Sequence, residues 1–136
     1  MNGTYWGQVL LVGLGGFLGS AARFMVATFV QRVTLGAFPY GTLTVNVLGC
    51  LVIGFLGGLL ESRQILGPGQ RLFLLVGVLG GFTTFSAFAF ETLGLANTVT
   101  VGKALVNVGA HVLLGLSAAW ISYVGAQALS ASPGVS

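Results

Sequence analysis

"LGGFTTFSAFAFET", residues 79–92, sets two glycines and two adjacent threonines among four phenylalanines. The run before it, "LFLLVGV" at 72–78, is wholly apolar, so the stretch belongs to a segment greasy enough to cross a bilayer. Yet it carries the residue types that weaken a helix: glycine through its backbone entropy, threonine through its restricted rotamers. Gly80-Gly81-Phe82-Thr83-Thr84 therefore predicts a helical break inside a membrane span. Such a break frees backbone carbonyls and amides, which in lipid must meet another polar group or an ion.

The rest of the chain supplies the membrane setting. Of 136 residues, 55% are hydrophobic and 5% charged, with a mean hydropathy of +0.99; soluble domains carry about one-quarter charged residues. The fold class is an all-α membrane protein. Apolar runs predict four transmembrane helices, at about 6–30, 39–60, 72–93 and 104–129, within a single transmembrane domain over 1–136. The joining segments "QRVTLGAFPYG", "ESRQILGPGQR" and "GLANTVTVGK" are short and rich in breakers, so neighbouring helices should pack antiparallel. The N-terminus lacks the basic region of a signal peptide and is expected to be retained. Cys50, the single cysteine, reads as a small packing residue. The net charge of +3 comes from scattered basic residues, which form no nucleic-acid patch. No nucleotide or redox motif is visible, so transport should be passive and the protein no enzyme.

Lys and Arg give no orientation. Arg63 and Arg71 fall on one side; Arg32 and Lys103 fall on the other. A chain so balanced can insert both ways, and two copies in opposite orientation can pair about an axis in the membrane plane, as a dual-topology antiparallel homodimer. Two breaks meeting at that axis would bring together carbonyls able to hold a desolvated cation. Gly15 and Gly19, Gly54 and Gly58, and Gly77 and Gly81 each place two small residues on one helix face, the pattern of close helix packing.

Polar groups at bilayer depth are few. Thr42, Asn46 and Gly49 share a face of the second helix; Asn107, His111 and Gly115 share a face of the fourth, with Ser122 further round. No second histidine or nearby acid completes a metal site with His111. Arg23 is the deepest formal charge and could snorkel or line a vestibule. Glu61 reads as a loop residue and Glu91 as lying near the end of the third helix, leaving no carboxylate to trade protons for cations. Donors without carboxylates suggest an anion. Phe82, Phe85 and Phe88 recur every three residues with Ser86 between them. The positive edge of a phenyl ring can replace part of a small anion's water without holding it as an arginine would, the compromise conduction requires.

"GGFLGSAARF" (15–24), "GTLTVNVLG" (41–49) and above all "GGFTTFSAFAFET" (80–92) resemble the Fluc (CrcB) fluoride channels of bacteria. The resemblance implies four-helix chains in the cell membrane, paired as dual-topology homodimers with two fluoride pores and a central structural sodium ion. It implies that Phe85 and Phe88 are the paired pore phenylalanines, that Asn46 is an amide beside the fluoride path and that Arg23 is the vestibule arginine. By the same resemblance Gly80 and Thr83 offer backbone carbonyls to sodium, and Ser86 belongs to a hydroxyl track. Ala87, His111 and Gly115 stand where relatives often carry hydroxyl residues, so water and His111 could serve in their place. The expected function is passive export of cytoplasmic fluoride, which accumulates when neutral HF crosses the membrane and dissociates inside. The rival readings are a small dual-topology drug/proton antiporter and an accessory subunit of a larger membrane complex.

Overall fold

The computed structural model describes residues 3–62 and 66–131; Arg63, used in the charge count above, lies outside them. All regular structure among these residues is helical, with four stretches long and apolar enough to cross a membrane: Thr4–Thr34, Tyr40–Glu61, Pro68–Thr98 and Val101–Ser130. The first is α1 (Gly3–Thr34) and the second α2 (Tyr40–Ser62). The third begins as α3 (Pro68–Arg71), widens into a π-helical stretch (Leu72–Leu79), tightens again as α4 (Gly80–Phe82) and resumes after a break as α5 (Phe85–Thr98). The fourth is α6 (Val101–Ala131). At about 1.5 Å per residue, even α2 exceeds the ~30 Å hydrocarbon layer.

Chemistry local to the loops starts and stops these helices. Gln31 staples the first turn: its Nε2 donates to Gly36 O (2.8 Å) and Phe38 O (3.1 Å), and its Oε1 accepts from Gly41 N (3.2 Å). Leu35 takes up the reversal with a φ of 43°. The third span opens on Pro68, whose missing N–H costs nothing at a first helical position, and Gln70 Oε1 accepts from Gly67 N at 2.9 Å.

The helices associate as two close pairs, α1 with the first half of the third span and α2 with α6. Glycine makes both seams possible. A Cβ at Gly15 would stand 2.9 Å from Gly77 Cα, and one at Gly81 would stand 2.6 Å from Gly16 O, so backbones touch where side chains would keep them apart. Gly54 and Gly58 face α6 backbone at Ala119 and Tyr123 in the same way. At one end of the second seam Tyr123 donates to Glu61, and Gln127 Nε2 donates to Tyr123 Oη at 2.9 Å.

The break falls at Thr83 and Thr84, which are extended (φ −85°, ψ 161° and φ −154°, ψ 115°). Gly80 stays helical at φ −63°, ψ −37°. The glycine pair predicted to weaken the helix does so only indirectly: Gly81 is spent on contact with α1, and the threonines make the interruption. Thr84 is suited to this because its hydroxyl accepts from Ala87 N (3.2 Å) and so caps the restarted helix.

Candidate ion pathway

The break is held by a side chain from another span. Asn46 Nδ2 donates to Thr84 O at 3.0 Å, and Thr84 N donates to Asn46 Oδ1 at 2.8 Å. Asn46 sits on α2 opposite the interruption, and the absence of a side chain at Gly49, one turn on, leaves room for the Thr83 methyl. This pairing decides which carbonyls are set free. In a continuous helix the Thr84 amide would close on Gly80 O and the Ala87 amide on Thr83 O; the first is taken by Asn46 and the second by the Thr84 hydroxyl. These diversions release the carbonyls of Gly80 and Thr83, and the extended Thr83 and Thr84 likewise part Gly81 O and Phe82 O from the amides of Phe85 and Ser86.

A cavity of about 520 Å³ opens at this point, lined among others by Asn46, Gly80, Thr83, Thr84, Phe85, Phe88 and His111. Phe85 and Phe88 lie tilted against each other at its side, centroids 5.3 Å apart and planes 57° apart. Phe88 in turn lies against His111 at 4.3 Å. Behind Phe88 runs a chain of hydrogen bonds: Asn107 Nδ2 to Thr92 Oγ1 (2.8 Å), and Thr92 Oγ1 to Phe88 O (2.7 Å). Asn107 is fully buried, and its Oδ1 has no partner among the described residues. Asn46 still has one amide hydrogen beyond the bond to Thr84, so the cavity offers a donor beside two aromatic rings.

Ser86, Thr42 and Arg23 lie apart from this cavity. Ser86 is exposed, its hydroxyl 3.3 Å from that of Thr84. Thr42 lines a second cavity of about 450 Å³ together with Glu91, Thr28, Gln31 and Thr98. Arg23, half-buried on α1, lines neither cavity and has no hydrogen bond or ion pair among the described residues. Gly115 lies on the first cavity, where a Cβ would rest 3.4 Å from Cys50 Sγ; Ala87 contributes only its backbone amide.

Two features were not read from sequence. Glu91 is not near the end of its helix, because α5 runs on to Thr98; its Oε1 accepts from Thr42 Oγ1 at 2.7 Å and its Oε2 is buried without a partner among the described residues. The third span therefore does hold a carboxylate, contrary to the expectation from sequence. Thr92 was likewise missed. In both cases the signal was available: spacing of i, i+3, i+4 from Phe88 places Glu91 and Thr92 one turn beyond it.

A multi-pass helical membrane protein, with a broken third span and a donor-lined cavity at the break, is the class that this fold and site define. The chain belongs to the CrcB family: the family model described as "CrcB-like protein, Camphor Resistance (CrcB)" matches residues 10–123. Among its relatives, a protein of Nitratidesulfovibrio vulgaris named "Fluoride-specific ion channel FluC" is 48% identical over 84% of this chain and 92% of its own. Identically named proteins of Methylobacillus flagellatus and Methylocella silvestris are 46% identical over 85% of this chain and 91% of theirs, and 42% over 92% and 97%.

Proposed function

We propose that this chain forms a fluoride-selective channel through which cytoplasmic fluoride leaves down its electrochemical gradient. The observation that carries the reading is 42–48% identity, over most of the chain, to relatives named as fluoride-specific ion channels. It is not an enzyme: relatives named as ion channels leave the residues at the break an ion to pass, not a bond to break. The local chemistry agrees. Fluoride is small and strongly hydrated, so a path for it must replace water with donors while holding the ion loosely. The free N–H of Asn46 and the positive edges of Phe85 and Phe88 are such donors, and the hydroxyl pair of Thr84 and Ser86, one donating to the other, keeps one further hydrogen.

The pore is completed by a second, antiparallel copy. Phe85 is 78% exposed although it borders the cavity, and the described chain buries only six apolar side chains in its own core. The evenly divided Lys and Arg support insertion in both orientations. Sodium fits the same crossover, because the carbonyls of Gly80 and Thr83 are hard, neutral oxygen ligands released from the helix ladder. A sodium ion bound there would supply positive charge to hold two broken helices together.

Fluoride efflux from proteoliposomes containing only this protein, followed with a fluoride electrode and with chloride as control, tests the reading. Fast fluoride release with little chloride loss is expected. Silence from a folded dimer, or ethidium efflux driven by a proton gradient, would overturn it.

A further inference from the structure

His111 presents a buried acceptor with nothing to accept. Its Nδ1 lies 3.0 Å from Asn107 O, a carbonyl that can only accept, so Nδ1 carries the proton of the neutral ring and Nε2 is a bare lone pair. That Nε2 is buried and has no hydrogen-bond partner among the described residues. An unpaired buried acceptor is unfavourable. The ring lies on Phe88 and lines the cavity at the break, so any change in its charge is felt where the ion passes.

Two titratable groups come near the ring from neighbouring helices: Glu91 on α5 and Cys50 on α2, which lines the same cavity. The first half of the third span contributes none between Leu72 and Phe82. Glu91 is turned to Thr42 and lines the other cavity. The first cavity therefore lacks a fixed charge of its own.

We propose that His111 binds fluoride together with a proton: protonation at Nε2 turns the bare acceptor into an N–H donor, and the imidazolium balances the anion in the Phe88 cavity. The proposal rests on the fluoride-channel reading of the same cavity. The proton comes from hydronium; the Nε2–H bond forms as an O–H bond breaks, water leaves, and nothing is oxidised. Nδ1–H keeps its bond to Asn107, whose fully buried amide ties this turn of α6 to Thr92 and Phe88. The Asn107 backbone carbonyl thus fixes the tautomer that leaves Nε2 free. The Phe88 ring adds a cation–π contact to the charged state alone.

His111 is the only histidine, so ¹⁵N-histidine labelling of the untagged protein in nanodiscs gives one ring to follow. The neutral ring should be the Nδ1–H tautomer, and fluoride, but not chloride, should move its titration to higher pH; about one unit corresponds to a tenfold preference of the protonated form for fluoride. In proteoliposomes, with leakage from protein-free vesicles subtracted, fluoride efflux should rise several-fold as the pH is lowered from ~7.5 to ~5.5. His111→Gln should lose this dependence, its efflux no greater at pH ~5.5 than at ~7.5, whereas Glu91→Gln should retain it. An Nε2–H tautomer, a titration that fluoride does not move, or a conducting wild type indifferent to pH would each overturn the proposal and leave the channel reading standing. Absence of fluoride efflux at every pH would overturn the channel reading and the proposal with it.

Discussion

Asn46 and Thr84, 38 residues apart in sequence, exchange two hydrogen bonds: the side-chain amide of one spans both polar groups of the other's backbone. In hydrocarbon an open peptide cannot turn to water, so the interruption of the third span and the presence of Asn46 are one feature. Asn46→Leu should unpair both groups at about 1–3 kcal/mol each, less whatever alternative partners the bilayer-inserted chain finds. Asn46→Asp, which keeps only the acceptor, should fall between Leu and wild type in the thermal midpoint of the detergent-solubilised protein. Equal midpoints for all three would show that the break is held by something else.

Phe85 and Phe88 have different surroundings. Phe85 is mostly exposed in the single chain, whereas Phe88 rests on His111. Replacing either with Ile keeps apolar bulk and removes the positive ring edge. Fluoride efflux should fall at least tenfold in both variants with the dimer intact on size exclusion. Unchanged efflux would end the ring-edge account.

Thr42 gives Glu91 its one hydrogen bond among the described residues. Thr42→Val leaves a half-buried carboxyl without its donor and should cost about 1.5–3 kcal/mol, while Thr42→Ser should be nearly neutral. Thermal midpoints of the two variants, measured side by side, decide this.

Backbone contact at the first seam makes a single methyl informative. Gly81→Ala would drive a Cβ to 2.6 Å from Gly16 O, whereas Gly109→Ala meets nothing within 4 Å. The first should cost about 1–3 kcal/mol and reduce the yield of folded protein; the second should express like wild type.

If sodium joins two copies at Gly80 and Thr83, its removal should weaken the dimer without altering either chain. Exchanging sodium for a bulky organic cation during purification should lower the thermal midpoint, and returning sodium should restore it, with a dependence on sodium concentration. A midpoint indifferent to sodium would refute the site.

What could be read from sequence was whatever repeats or is sustained. Long apolar runs gave the four spans, and paired glycines at spacing four gave the seams at Gly15–Gly77 and Gly54–Ala119. The neighbourhood of the break was legible because glycine and threonine are poor helix formers, but its exact peptide was not: Thr84 is a cap only because Asn46 answers it from another helix. Glu91 was misplaced because a charged residue at the end of an apolar run looks like a boundary, while the half-buried bond to Thr42 lets α5 continue to Thr98. The widened winding of Leu72–Leu79 left no trace, since an unbroken apolar segment reads alike whichever way it is wound.

That widened winding bears on how the sequence can change through inheritance. A π-turn accommodates one residue more than an α-helix would, and each α-helical residue turns the chain by about 100°. Gly77 inside it faces Gly15, Gly81 just beyond it faces Gly16, and Gly80 between them borders the cavity. Loss of one residue between Leu72 and Val76 would rotate these glycines out of phase, taking either the α1 seam or the freed carbonyls to the wrong side. The segment can therefore drift freely among apolar residues, yet it should tolerate neither deletion nor insertion: its length is inherited more strictly than its letters.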